Sequence, residues 1–154
     1  MTRAQYILLA AGGSAALLAG AYGFEYIGGM APCQLCWWQR YPHMVAVVIG
    51  LLALILMGRT LPYLGALAAL TTAGIALFHT GVERAWWEGL ASCSAGSIAG
   101  VSMQDLLNPA ANVAAPVRCD AVAWEMAGLS MASWNGIASL VLVALWLLAA
   151  SKRR

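Results

Sequence analysis

The stretch YPHMVAVVIGLLALILMG, residues 41–58, contains no Asp, Glu, Lys or Arg, and it decides the fold of this chain. A helix that crosses a bilayer needs about 20 mostly apolar residues, in a range of roughly 17–25. Three further uncharged runs are long enough: residues 6–24, 60–82 and 126–151. Charged residues make up 9% of the 154-residue chain, whereas soluble domains contain about 25%. The sequence therefore predicts an all-α membrane protein, a bundle of four transmembrane helices.

These runs predict a single membrane domain over residues 1–154, with spans at about 6–24, 41–58, 61–81 and 130–150. Two outer loops remain, at about 25–40 and 83–129. The second loop is rich in small and polar residues, which is typical of a segment without its own core. Ser102 and Asp105 have the spacing of a helix N-cap and an acidic residue three positions later. We expect a short helix there, either at the membrane interface or packed on the protein.

Arginine and lysine residues near the ends of the spans give the orientation, because they are enriched on the cytoplasmic side. With four alternating spans, Arg3, Arg59 and the basic residues 152–154 lie on one side. The other side carries the remaining three arginines and all six acidic residues. We expect both termini in the cytoplasm and all four cysteines facing the periplasm of a bacterial inner membrane, where disulfides persist.

The N-terminal segment imitates a secretory signal, because an apolar stretch precedes Ala19-Gly20-Ala21. We expect it to be retained as the first span. Gly12, Ala16 and Gly20 recur every four residues, and such a stripe of small residues lets another helix pack closely. The stripe therefore suits a first span that is retained as a member of the bundle.

The four cysteines form one close pair, Cys33 and Cys36, and one wide pair, Cys93 and Cys119. A zinc site is disfavoured, since structural zinc usually uses two close-spaced pairs. Two inert disulfides are also disfavoured, because a C-x-x-C bridge closes almost no loop and stabilises little. At the start of a helix, a thiolate is stabilised by unpaired N–H groups and the helix dipole. The pattern favours two exchanging disulfides, one on a mobile loop and one fixed at the membrane.

Arg40 and His79 are candidate binding residues for a lipid-soluble electron acceptor. Arg40 follows Cys36 by four residues and therefore shares its helix face. Its guanidinium can stabilise a Cys36 thiolate and donate to the acceptor; the alternative is an arginine that snorkels to lipid phosphate. His79, one turn before Glu83, can donate to the same acceptor or relay its proton. The alternative for His79 is a structural hydrogen bond to a neighbouring helix.

The stretch Cys33-Gln34-Leu35-Cys36-Trp37-Trp38-Gln39-Arg40-Tyr41-Pro42 resembles the start of the second span in the DsbB family of bacterial disulfide bond formation proteins. Cys119-Asp120 and the stretch from Trp124 to Asn135 are similar to that family's entry into its fourth span. The order of parts matches over essentially the whole chain: a span, the C-x-x-C, two spans, a loop with two cysteines and a last span.

The resemblance implies an enzyme that reoxidises a soluble periplasmic, thioredoxin-like protein of the DsbA type and passes two electrons to a membrane quinone, ubiquinone or menaquinone. It implies that the partner's thiolate attacks Cys93, which releases Cys119 to attack Cys33. Cys36 then faces the quinone, together with the two candidate binding residues. No nucleic-acid partner is expected. Two alternatives stay open: an enzyme similar to vitamin K epoxide reductase, in which the loop cysteines precede the C-x-x-C, and a non-enzymatic membrane protein stapled by zinc.

Overall fold

The computed structural model describes residues 1–56, 58–90 and 117–152. Four long helices make up most of this part of the chain: α1 (Arg3–Tyr26), α2 (Gln34–Leu56), α3 (Leu61–Glu83) and α4 (Met131–Ser151). At about 1.5 Å per residue, each is roughly 30–36 Å long and matches a hydrocarbon core about 30 Å thick. All four are long and apolar enough to cross a membrane. The prediction of an all-α protein with four transmembrane helices is confirmed.

The helices pack chiefly on their sequence neighbours, and α4 closes the bundle against α1. Small residues dominate the core in the half of the bundle that holds the α2–α3 connection, with Trp146 as its largest buried side chain. The Trp146 ring lies against Gly65 of α3, where an added Cβ would come within 2.5 Å of the ring. Large aliphatic side chains such as Leu51, Ile55 and Leu67 point outward. This inside-small, outside-aliphatic arrangement is what a bundle surrounded by lipid requires.

Two helices extend beyond the uncharged runs at the end of the bundle that carries the C-x-x-C pair. Helix α1 continues through Glu25, and α2 begins at Gln34 rather than near residue 41. The predicted first loop, 25–40, is therefore reduced to residues 27–33. The two charged residues do not end the helices, because Glu25 of α1 and Arg40 of α2 form an ion pair between them.

The stripe of small residues on the first span does not contact another helix. A Cβ added at Gly12 or Gly20 would meet no atom within 4 Å, and Ala16 is exposed. The Ser14 hydroxyl lies 3.3 Å from Nδ1 of His43 in α2, and this buried polar contact helps to set the rotation of α1. The buried face of α1 carries three residues at heptad-like spacing: Ile7, Ala10 and Ser14.

A small antiparallel hairpin, which the sequence did not predict, precedes α4 inside the loop expected at 83–129. Its strands are β1 (Glu125–Met126) and β2 (Leu129–Ser130). Both residues of the turn, Ala127 and Gly128, have positive φ, as a two-residue type I′ turn requires. Arg84, at the end of α3, donates a 2.8 Å hydrogen bond to the Gly128 carbonyl, so the hairpin links α3 to α4. The short helix predicted around residues 102–105 lies outside the described residues.

Candidate redox-active site

The close cysteine pair lies at the start of α2. Cys33 immediately precedes the helix and Cys36 is in its first turn. Both are free thiols with their Sγ atoms 3.0 Å apart, and Cys33 donates to Cys36. The Cys33 sulfur also accepts the backbone N–H of Cys36 at 3.3 Å, and so satisfies one open donor of the helix end. The hydrogen bond to Cys36, together with burial, raises the pKa of the Cys33 thiol. The hydrogen bond from the Cys33 thiol would stabilise a thiolate at Cys36.

Cys119 is brought onto the close pair, although it is far away in the sequence. It is fully buried and disulfide-bonded. It belongs to one packed cluster with Cys33, Leu35 and Val82. Cys93, the other cysteine predicted in the loop, lies outside the described residues.

His79 lies between the close pair and Cys119. Its Nε2 atom is 3.7 Å from the Cys33 sulfur and 3.2 Å from the backbone oxygen of Cys119. Its Nδ1 atom is 2.8 Å from the side-chain amide of Gln39 in α2. Glu83, one turn further along α3, places a carboxylate oxygen 3.8 Å from Nε2. The structural bond to a neighbouring helix is therefore present, and the same imidazole also contacts the redox pair.

Arg40 is buried, with 6% of its surface exposed, and its guanidinium is held inside the protein. One nitrogen pairs with the Glu25 carboxylate, and another donates to the backbone oxygen of Ala21 at 3.3 Å. The guanidinium carbon lies 4.7 Å from the ring centre of Tyr22 and 4.8 Å from that of Trp37. These contacts fix the position of the cation and compensate its charge. The sequence did not predict Glu25 as a partner; the available signal was that both charges border apolar runs at the same end.

A cavity of about 440 Å³ opens beside these residues. Its walls are mostly apolar and include the rings of Phe24 and Trp134. Cys36 and Arg40 contribute polar groups to the wall on the α2 side. Typical small-molecule pockets have volumes of roughly 300–1,000 Å³ and combine apolar walls with a few polar groups. The cavity therefore suits a small, mostly apolar molecule placed next to the Cys36 sulfur.

A buried polar network that the sequence did not predict continues from this site into the bundle. Gln39, which contacts His79, accepts a 2.7 Å hydrogen bond from the Asn135 amide of α4. The Asn135 oxygen lies 3.0 Å from Nε2 of His43, and His43 in turn contacts Ser14 of α1. The network thus joins all four helices. The signal for it was a set of polar residues at separate positions within otherwise apolar spans.

Comparison with known proteins identifies the family. Residues 3–149 match the family described as disulfide bond formation protein DsbB. The chain is 49% identical over 39 residues to disulfide bond formation protein B of Marinobacter nauticus, a stretch that covers 25% of this chain and 23% of that protein.

A second relative, the uncharacterized protein RP370 of Rickettsia prowazekii, is 33% identical over 79 residues, which cover 50% of this chain and 46% of that protein. The aligned stretches thus span less than half the length of either relative. No solved structure matches the chain. Since the family match extends over nearly all of the sequence, including the cysteine pair and the four helices, this chain belongs to the DsbB family of membrane proteins of disulfide bond formation.

Proposed function

We propose that this protein is a membrane thiol oxidase that takes electrons from a soluble DsbA-like dithiol protein and delivers them to a membrane quinone. One observation carries the proposal: the free dithiol of Cys33 and Cys36 lies between the buried loop residue Cys119 and a mostly apolar cavity. On the side of Cys119, electrons can enter by disulfide exchange with a protein partner. The cavity side gives them an exit to an acceptor that is soluble in lipid.

The residues around the cavity fit a quinone head group. Aromatic and aliphatic side chains can cover the two faces of a ring, and Arg40 supplies N–H donors close to Cys36 on the same helix. The ion pair with Glu25 holds these donors in place before a ligand arrives. A bound quinone would accept two electrons and two protons, which is what the oxidation of a dithiol releases.

Electron entry follows disulfide exchange, in which a thiolate attacks one sulfur of a disulfide and displaces the other. Exchange begins with Cys93–Cys119 and Cys33–Cys36 both as disulfides. The partner's thiolate would attack Cys93 and release Cys119 as a thiolate, and Cys119 would then attack Cys33, break the Cys33–Cys36 bond and release Cys36 as a thiolate. The partner's second thiolate would then attack the partner sulfur that is bound to Cys93. The partner leaves as a disulfide, and Cys93 is released as a thiolate. Attack of Cys93 on Cys119 would restore the loop disulfide and return Cys33 as a thiol.

In the proposed sequence, a free dithiol at Cys33 and Cys36 is the stage that follows reduction of the close pair. From there the Cys36 thiolate faces the cavity, and Cys33 closes the disulfide with it. His79 acts as a positioning residue, because it holds the Cys119 backbone beside the Cys33 sulfur.

The proposal includes an orientation, with the cysteines in the periplasm and both termini in the cytoplasm of a bacterial inner membrane. Arg3 donates to the backbone oxygen of Gly58, so the N-terminus and the connection that contains Arg59 lie at one end of the bundle. Glu25 and Arg40 lie at the other end, near the close pair. This separation supports the sidedness that the basic residues predict. A green fluorescent protein fused to the C-terminus should fluoresce; a dark but full-length fusion would reverse the orientation.

The function is tested by mixing the purified protein anaerobically with a reduced thioredoxin-like dithiol protein and a soluble ubiquinone or menaquinone. Loss of quinone absorbance should require all three components. Cys36→Ser should abolish quinone reduction, while Thr71→Ala, an exposed position on α3, should turn over normally. Quinone reduction by the Cys36→Ser variant at the normal rate would refute the assignment of this sulfur.

A further inference from the structure

We infer that the reduced close pair, together with His79 and Glu83, forms a binding site for a thiophilic divalent cation, with Zn²⁺ as the ion that best suits the ligands. Cys33, Cys36 and His79 each offer one ligand atom, and the three atoms lie within 4.8 Å of one another. Two thiolates and an imidazole are a ligand set that zinc prefers. The site differs from the four-thiolate arrangement considered from the sequence, because it uses neither loop cysteine.

The distances require only a small adjustment. Tetrahedral zinc has Zn–S bonds of about 2.3 Å and Zn–N bonds of about 2.0–2.1 Å, which separates two sulfurs by roughly 3.8 Å and a sulfur from a nitrogen by roughly 3.6 Å. The Cys33 sulfur and Nε2 of His79 are already 3.7 Å apart. The two sulfurs, now 3.0 Å apart, would have to separate slightly, which a rotation of the Cys36 side chain provides.

Glu83 lies outside the group of three close ligand atoms and would supply the fourth ligand after its carboxylate moves toward the sulfurs. One of its carboxylate oxygens is 3.8 Å from Nε2 of His79, on the same face of α3. Its other oxygen accepts a hydrogen bond from the Ser130 hydroxyl. This bond orients the carboxylate, as the hydrogen-bonding neighbours of metal ligands commonly do. Metal binding at Nε2 requires the His79 proton on Nδ1, so Nε2 would release the Cys119 carbonyl and the Gln39 amide would have to flip, giving up the hydrogen bond that its oxygen accepts from Asn135. All four ligand residues line the cavity, which gives an ion its route to the site.

Binding is linked to protons and to the redox state. Zinc would displace one proton from each thiol and bind two thiolates, so affinity should rise with pH. A disulfide offers no thiolate, so the site exists only while the close pair is reduced. A bound ion would prevent Cys33 and Cys36 from forming their disulfide. Inhibition of the thiol oxidase by zinc is the consequence; it rests on the proposed function, whereas the binding itself does not.

The test uses Co²⁺, which gives sulfur-to-metal charge-transfer bands and intense visible bands in a tetrahedral site. A full-length Cys93→Ala/Cys119→Ala variant retains only the thiols of the close pair. After reduction and anaerobic removal of the reductant, this variant should bind one Co²⁺ with both sets of bands, and Zn²⁺ should displace it. Oxidation of the pair with diamide should abolish binding. No tetrahedral spectrum in the reduced protein, or an equal spectrum after oxidation, would overturn the proposal.

Ligand variants in the same background identify the other two ligands. His79→Gln and Glu83→Gln should each weaken Co²⁺ binding by roughly 10- to 100-fold or more, as expected for groups in or next to a metal shell. Thr71→Ala on the same helix should leave the affinity unchanged. Unaltered affinity in His79→Gln would overturn the site; if that variant fails to fold, Glu83→Gln decides in the same way. Quinone reduction by the unmodified chain is measured in a separate assay. A failure to bind Co²⁺ would therefore refute the metal site without refuting the proposed function, and a failure to reduce quinone would do the reverse.

Discussion

The ion pair of Glu25 and Arg40 provides the sharpest test of how the site is held together. Glu25→Gln keeps the size and shape of the side chain but removes its charge. Arg40 then loses its charged partner while it keeps the hydrogen bond to the Ala21 carbonyl and its position over the rings of Tyr22 and Trp37. A buried cation with these weaker partners should destabilise the protein and lose its fixed position beside the cavity.

The magnitude follows from the burial of both side chains, 7% exposed for Arg40 and 16% for Glu25. Breaking a buried pair by removing one partner costs about 3–5 kcal/mol. The cation–π contacts that remain still stabilise the buried guanidinium by about 0.5–2 kcal/mol. We therefore expect Glu25→Gln to lower the free energy of unfolding by about 2 kcal/mol. Arg40→Gln should cost about 4 kcal/mol, because it removes those contacts as well and leaves a buried carboxylate without its charged partner.

A double-mutant cycle measures the coupling. The Glu25→Gln/Arg40→Gln protein should be less destabilised than the sum of the two single variants, by about 1.5–3 kcal/mol. Thermal unfolding in detergent is the assay, and about 2 kcal/mol corresponds to a shift of roughly 4–8 °C for a chain of this size. Single-variant effects that add to within about 0.5 kcal/mol would refute the ion pair. Quinone kinetics give a second readout: Glu25→Gln should raise the apparent KM for quinone more than that for the dithiol protein.

Two further changes test the loop and the bundle. Cys119→Ala, mixed with the oxidised (disulfide) form of the soluble partner, should accumulate a mixed disulfide with Cys93, visible on a non-reducing gel, because the Cys93 thiolate opens the partner's disulfide and no Cys119 thiolate is present to release it. Trapping in Cys93→Ala instead would reverse the two roles. Gly65→Ala should cost about 1–3 kcal/mol in thermal stability, since the new methyl group would overlap the ring of Trp146. Gly74→Ala on the same helix is the matched control, because its Cβ would meet no atom within 4 Å, and equal effects of the two changes would contradict the packing.

The sequence was sufficient for the number of helices and for their approximate positions. Uncharged runs of this length have few alternatives in a chain with 9% charged residues. The helix ends at the C-x-x-C side were misplaced because charge was treated as a boundary. Glu25 and Arg40 instead neutralise each other between α1 and α2, so both helices continue past the point where hydropathy falls.

The part of the candidate site that could be predicted from the sequence is the part whose residues lie close together in the chain. The C-x-x-C spacing and the four-residue step from Cys36 to Arg40 define positions on one helix, and the structure has them at the start of α2. The contacts of His79 with Cys33 and Cys119 depend on how α3 and the second loop approach α2, which no spacing within one segment encodes.

The rotation of each helix was the least predictable feature, and the reason is the solvent. In water, the apolar face of a helix identifies its buried side, whereas in a bilayer the lipid is as apolar as the core and hydropathy no longer distinguishes the two. Polar groups then set the rotation, because an unsatisfied group in hydrocarbon costs several kcal/mol. Ser14, Gln39, His43 and Asn135 therefore turn inward and join α1, α2 and α4, and the contact of Gln39 with His79 adds α3. The rotation of α2 that these contacts set is the one at which Cys36 and Arg40 line the cavity. The buried network therefore orients the cysteine pair that the C-x-x-C pattern predicts.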